Sequence, residues 1–324
     1  MADVTVALTD AASGAEAGAV QLPPEVLSGL GEQLGPFTFD GAGAGSSEPF
    51  GGVVRPDAGP PLYLRAVPIT ATSGAEQRRA YLIAHRIAQV GPKPFGEIYT
   101  ARYRLILHEH LAGRQADLAP ESPDLPLVAD YLRRSASALS GDRVGEVGSI
   151  GGALAADGSW PLLAGLAHSG LDSREWEEIN RLVTLDFAAM RLDGPCVVHT
   201  RLHPGNLLVS ADTVTAVGWR AACFGPAWAD TALLIPHLVD AGHSPAAAEK
   251  WAAQHGELAQ AGEEAVTALA VAVAGRAVFR TSRMYDGHDA LGASVPAKAA
   301  LEWMRHRLAA RPKARRLRVT GGEW

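Results

Sequence analysis

Up to about residue 113 the apolar positions fall into short runs of strand character, and beyond it they recur mostly at helical spacing. Phe37-Thr38-Phe39, Gly52-Val53-Val54 and Leu62 to Val67 read as three strands, with a Gly/Ser loop from Gly41 to Ser47 between the first two. Pro23 and Pro24 precede a short predicted helix over Glu25 to Leu34, proline being favoured at a helix start. Glu76 to Val90 places Ile83, Ile87 and Val90 on one helical face, and Pro92 and Pro94 end it. Strands over Gly96 to Tyr99 and Arg104 to Leu107 follow, and Gly113 breaks the run.

The remainder is mostly helical. One helix is predicted over Leu125 to Leu139, and another over Ser173 to Met190, with Asp172 as its cap and Glu175 as capping-box partner. Short apolar strands over Pro195 to Val198, Leu207 to Val209 and Val214 to Val217 interrupt the helices. Helices are then expected near 226–241, 245–260, 262–285 and 294–310. The plan is α+β and bilobal: an N-terminal extension over 1–35, a small β-rich lobe with one helix over 36–113, and a larger helical lobe over 114–324. A ligand site is expected in the cleft between the lobes.

Composition narrows the classes further. The chain has 324 residues, 47% hydrophobic and 20% charged, which suits a folded globular protein. A net charge of −6 provides no basic field for nucleic acid, and the basic stretch from Arg311 to Arg318 reads as a solvated helix end. The longest apolar run, Ala265 to Ala274, is too short to span a bilayer, so no membrane partner is expected. No signal-peptide pattern opens the chain, and two cysteines, Cys196 and Cys223, form neither a disulfide framework nor a zinc pair. These features place the protein in a reducing cytoplasm. The Ala, Gly and Arg bias, with only four lysines, points to a high-GC bacterial genome.

The chemistry lies in Val197 to Leu234, VVHTRLHPGNLLVSADTVTAVGWRAACFGPAWADTALL. His199, the run Leu202-His203-Pro204-Gly205-Asn206, the apolar strand, Trp219, Gly225-Pro226 and Asp230 follow one another in fixed order and spacing. This stretch resembles the catalytic core of the aminoglycoside phosphotransferase and choline kinase-like family, and the order of segments over 60–113 is similar to that family's N-lobe. The resemblance implies a protein-kinase-like fold and a nucleotide in the cleft. It also implies a phosphate-contacting role for Gly43, Gly45 and Ser46 and for Arg65 on the third strand, with Asn206 facing the nucleotide's metal.

The same alignment exposes what is missing. Phosphoryl transfer on this fold needs an acidic residue to orient the nucleophile, and metal ions held by an Asp and an Asn. The residue after the His-Gly pair, Asp in the family, is Arg201 here, and the Asp before the Trp is Gly218. A guanidinium cannot accept a proton, and one amide oxygen is a poor site for a hard cation. In the N-lobe, the Glu expected to pair with Arg65 aligns with Ala80, and Glu76 lies one turn earlier as a substitute.

Three functions follow. The first is a pseudokinase-like protein that binds a ligand, nucleotide or peptide partner in the cleft and performs no chemistry. The second is an enzyme of another class, such as cyclisation or elimination of a modified peptide in natural-product biosynthesis. There Arg201 would bind an anion, His203 or His199 would move a proton, and a partner enzyme of the same pathway is implied. The third is an active small-molecule phosphotransferase with acids relocated to Asp212 or Glu48. No metal site is assigned. ATP is the one cofactor the resemblance allows, bound without a normal magnesium site.

Overall fold

The strands predicted before residue 113 assemble into one antiparallel sheet. The structure is a computed structural model that describes residues 22–42, 50–69, 82–142, 147–155, 192–281 and 295–310. After helix α1 (Pro24–Leu34) come β1 (Phe37–Ala42), β2 (Phe50–Pro56), β3 (Leu62–Pro68), the short helix α2 (Ala84–Ile87), β4 (Pro94–Tyr99) and β5 (Tyr103–Glu109). The spatial order is β1-β2-β3-β5-β4, so β3 and β5 are central and β4 lies at one edge. Along β2 and β3 every second residue is buried, as a sheet with one covered face requires.

That covered face is closed by α1. Val26 and Leu30 of the helix share a core with Phe39, Phe50, Val54, Leu64, Leu105 and Leu107 of the sheet. Phe50 meets the Tyr103 ring edge-on at 5.7 Å, a favoured aromatic geometry. A cluster on β4 and β5 pairs Glu97 with Arg104, accepts the Tyr99 hydroxyl on Glu97 at 2.9 Å and stacks Arg104 over the Tyr99 ring.

The larger lobe starts with β6 (Arg114–Gln115), α3 (Leu125–Ala138) and α4 (Ile150–Ala155), and then β7 (Cys196–Val198), β8 (Leu207–Ser210), β9 (Thr213–Ala216) and β10 (Cys223–Gly225). Four helices follow among the described residues: α5 (Ala229–Asp240), α6 (Pro245–His255), α7 (Glu263–Thr281) and α8 (Ala297–Ala310). The strands form two small sheets, β6-β8-β9 and β7-β10, both antiparallel. The apolar run inside α7 is buried from Ala265 to Ala274, and among the described residues no helix is long and apolar enough to cross a membrane.

Trp303 of α8 is fully buried, and its indole N–H donates to Glu249 of α6 at 2.6 Å. Arg307 of α8 joins the same carboxylate at 3.4 Å and reaches Glu263 and Thr267 of α7. Glu249→Gln keeps the shape and removes the charge, so it is expected to cost about 1 kcal/mol. Urea unfolding of the two proteins would read that difference.

Several sequence expectations shift at their edges. Of the helix expected over Glu76 to Val90, Leu82 and Ala84–Ile87 are helical, with turns to residue 90; residues 76–81 lie outside the described residues. So do the Ser173 to Met190 helix, the Gly43 to Ser47 part of the Gly/Ser loop and the basic stretch from Arg311. The segment expected over 245–260 is α6 followed by a separate 3-10 turn, Glu257–Gln260. Gly256 intervenes, and a Cβ there would come within 2.4 Å of the Thr231 hydroxyl. The strands β6 and β10 and the helix α4 have no counterpart among the expectations.

Candidate functional site

Two loops meet under the N-lobe sheet. One runs from β7 to β8 and carries residues 199–206; the other runs from β9 to β10 and carries residues 217–222. Because β7 pairs with β10, and β8 with β9, the sheets fix all four loop ends.

The first loop is held from beneath. Asp230, at the start of α5, is buried, and its carboxylate accepts the backbone N–H of His199 at 2.7 Å and of Thr200 at 2.8 Å. Thr200 lies at φ +65, a conformation that costs a β-branched residue energy. Its hydroxyl donates to the Ala221 carbonyl at 3.0 Å, which ties the two loops together. Burial outweighs the two N–H donors and pushes the Asp230 carboxyl up to about 6.

His199 does not face the cleft. It is fully buried, and its Nε2 bonds the Val217 carbonyl at 2.8 Å, so Nε2 carries the proton. Its Nδ1 accepts the Arg201 backbone N–H at 3.2 Å, and the ring packs at 4.7 Å from that of Trp219. Burial lowers its pKa to about 4. Both of its nitrogens are engaged inside the core, and His199 does not line the cleft, unlike Arg201 and His203.

Arg201, His203 and Asn206 do come together. All three line a cleft of about 510 Å³ between the lobes, with Arg65 of β3 on the other wall. The Asn206 amide donates from Nδ2 to the Arg201 carbonyl at 3.0 Å, so the amide is committed to bracing the loop. His203 accepts the Gly205 N–H on Nδ1 at 3.2 Å. Neutral His203 therefore carries its proton on Nε2 and is a hydrogen-bond donor there. Burial, and then the Arg201 charge, lower its pKa. Behind it lies His237 of α5, with ring centroids 5.9 Å apart; burial lowers the His237 pKa to about 3.

Gly218 occupies the position before Trp219 at φ +83, a conformation open to glycine. A Cβ there would sit 2.9 Å from the Asn206 Oδ1, so a side chain at this position would have to shift the amide. A magnesium ion on this fold would need that position to supply a carboxylate. Among the described residues the groups at that position are one amide oxygen, a glycine and a guanidinium, and they do not fit the ion. Among the described residues no three His, Cys, Asp or Glu side chains converge on a metal position.

The relocated acids can also be placed. Asp212 is exposed on the tight turn between β8 and β9 and does not line the cleft. Glu48, like Gly43, Gly45 and Ser46, lies outside the described residues.

Several cleft residues escaped the sequence reading. His108, Glu109, His110 and Leu111 line the wall where β5 runs out toward the second lobe, and Val53, Ile106 and Leu208 supply apolar surface. Polar residues directly after the buried Leu105-Ile106-Leu107 were the available signal. Gly91 lets the chain pass the Trp219 indole, since a Cβ there would come within 2.8 Å of Nε1.

The buried imidazoles set a pH dependence. His199 and His237 have folded pKa values below their ordinary 6.5, so the unfolded chain binds protons that the folded one refuses. Their effect is to reduce stability as pH falls from 6.5 toward 4. Asp230, raised above its ordinary 3.8, acts in the opposite sense between 6 and 3.8. His108, His110 and His203, also lowered by burial, act in the same sense as His199 and His237, which predicts a lower urea midpoint at pH 5 than at pH 7, and His237→Phe should flatten the difference.

Comparison with solved structures relates this geometry to known proteins. A thermostable mutant of the aminoglycoside phosphotransferase APH(4)-Ia, in a ternary complex with AMP-PNP and hygromycin B, superposes with a TM-score of 0.57. The match spans 89% of this chain and 97% of that one at 14% identity. An aminoglycoside phosphotransferase from Alicyclobacillus acidocaldarius gives a TM-score of 0.56 over 92% and 96% of the two chains at 15% identity.

The fold is that of the aminoglycoside phosphotransferases.

Choline kinase from Cryptosporidium parvum shares it, with a TM-score of 0.53 over 89% of this chain and 95% of that one at 10% identity. No family model and no curated protein sequence matches the chain. Within the aminoglycoside phosphotransferase fold, the β7–β8 loop is the segment singled out by motif, and it faces the cleft through Arg201, His203 and Asn206.

Proposed function

We propose that this chain is a catalytically degenerate, pseudokinase-like protein that holds a small molecule or peptide in the interlobe cleft and does not perform metal-dependent phosphoryl transfer. The observation that supports it most is the pair Arg201 and Gly218. A guanidinium stands where the resemblance puts the fold's proton acceptor, and the metal-carboxylate position is a glycine whose added Cβ would press on the Asn206 amide at 2.9 Å. ATP, if it binds, does so without the usual magnesium site. The compartment we propose is the bacterial cytoplasm, which suits two buried free thiols.

The test is turnover. Purified protein with ATP, magnesium and a panel of aminoglycosides, choline and short peptides is expected to release no ADP above a buffer control. Sustained magnesium-dependent ADP release that is lost in Asn206→Ala would overturn the reading.

One observation favours a second reading, an enzyme of another class acting on a modified peptide beside a partner enzyme. The Nε2–H donor of His203 sits beside Arg201 on the cleft wall, an arrangement suited to stabilising a carbonyl or enolate oxygen. In that case His203→Ala would abolish turnover without changing the urea midpoint; unchanged turnover would remove the role.

A further inference from the structure

We propose that Arg86 is the centre of an anion site beside α2 and outside the cleft, which takes the phosphate or carboxylate group of a small molecule. The site goes beyond the ligand-holding reading of the cleft and shares none of its lining residues.

By packing, α2 belongs to the larger lobe. Ile83 and Ile87 are buried in one core with Leu139, Cys196 and Trp219. Ala84 and Ile87 also line the cleft, and Arg86 does not. Arg86 reaches instead to the end of α3, where its guanidinium lies against Gly141. A Cβ on that glycine would meet Nη1 at 3.6 Å and Nη2 at 3.8 Å. Gly141 lies at φ +152, and its bare backbone leaves the planar group a surface to rest on.

The guanidinium is placed by packing and not by an ion pair. Its Nη1 is buried and meets no acceptor. Arg102, Arg104, Arg114, Arg134 and Arg307 each pair with a carboxylate; among the described residues Arg86 pairs with none. The carbonyls at the end of α3 are already engaged. That of Ser135 accepts the Leu139 N–H at 2.9 Å, that of Ala136 the Ser140 hydroxyl at 2.9 Å, and that of Leu139 the Val197 N–H at 3.0 Å. The Pro195 carbonyl accepts the Gly141 N–H at 3.2 Å. An enclosed cationic group without a partner is costly, and for stability alone an apolar residue would serve better.

The chemistry of the missing partner follows. A guanidinium presents a planar fork of N–H donors that matches two oxygens of a phosphate or carboxylate. Arg86 is half-buried, so part of the group reaches solvent while its charge is screened less than that of a fully exposed side chain. The one-turn helix α2 carries Arg86 together with Ala84 and Ile87 of the cleft wall, which places a bound anion next to the cleft without entering it.

Melting curves in inorganic phosphate and in succinate, each against chloride at matched ionic strength and with EDTA present, test the site. At least one anion is expected to raise the melting temperature, by about 2 °C at about ten times its dissociation constant. Arg86→Gln should weaken the apparent affinity at least about tenfold, and Arg86→Lys, which keeps the charge but not the fork, should fall between. A response to phosphate alone assigns a phosphorylated ligand, and to succinate alone a carboxylate. In chloride, Arg86→Met should unfold at a urea concentration no lower than the parent's, because the charge it removes has no partner. The proposal is overturned if neither anion acts at millimolar concentration, or if Arg86→Gln responds as the parent does. A lower urea midpoint for Arg86→Met would also overturn it, since the fold itself would then satisfy the guanidinium. These measurements involve neither nucleotide nor magnesium, so they stand or fall apart from the pseudokinase reading.

Discussion

Asp230→Ala is expected to lower the unfolding free energy by about 2–6 kcal/mol, because it strands two buried N–H donors at about 1–3 kcal/mol each. The carboxylate holds the N–H groups of His199 and Thr200. Thr200 at φ +65 stays there because Asp230 beneath and Ala221 beside it both hold it. Asp230→Asn should cost less, since one oxygen survives to accept, while its amide group opposes the second donor. Its pH signature is separate. Between pH 6 and 3.8 the folded parent binds a proton at Asp230 that the unfolded chain does not, so Asp230 contributes stability as pH falls through that window. The Asn variant lacks that gain and should lose stability more steeply than the parent on acidification. Urea unfolding at pH 7 and pH 5 measures both effects; a loss under about 1 kcal/mol for the Ala variant would show that the loop does not depend on this carboxylate.

Gly218→Asp, which restores the acidic letter at the metal position, is expected to destabilise by about 2–3 kcal/mol and to confer no magnesium affinity. Two costs add. A side chain must adopt φ +83, and its Cβ must displace the Asn206 amide from 2.9 Å. That amide braces the Arg201 carbonyl, so displacing it loosens the loop. The double variant Arg201→Asp with Gly218→Asp inherits the same strain and should also fail to bind magnesium. Thermal melts with and without magnesium read stability and affinity together. A rise in melting temperature that depends on magnesium in either variant would show that the metal site is latent and that the loop has not been rebuilt around its loss.

These two residues illustrate what the sequence makes legible. The fold was readable because its features are local: alternation in Leu62 to Val67, proline at the start of α1, and the long apolar run of α7 follow from periods and caps. Motif spacing located the loop at 199–206, and the structure does bring Arg201, His203 and Asn206 to one cleft with Arg65. The direction of a side chain was not legible. His199 and His203 are four residues apart with the same chemistry, yet one is locked in the core by the Val217 carbonyl and the other faces the cleft. That difference is set by long-range pairing of β7 with β10 and β8 with β9, to which a local pattern is blind. The short elements β6 and β10 were missed for the same reason, since two or three residues carry no period and exist through their partners. His237 gave no signal either; it reaches His203 through the packing of α5 beneath the loop.

The central claim is that this cleft binds without the magnesium chemistry of its fold, and calorimetry of ATP binding with and without magnesium tests it most directly. The account predicts that any affinity for ATP is unchanged by adding magnesium or by replacing it with EDTA, and that it falls when Arg201 is replaced by Gln. Tight binding that appears only with magnesium, and that survives the loss of Arg201, would contradict it.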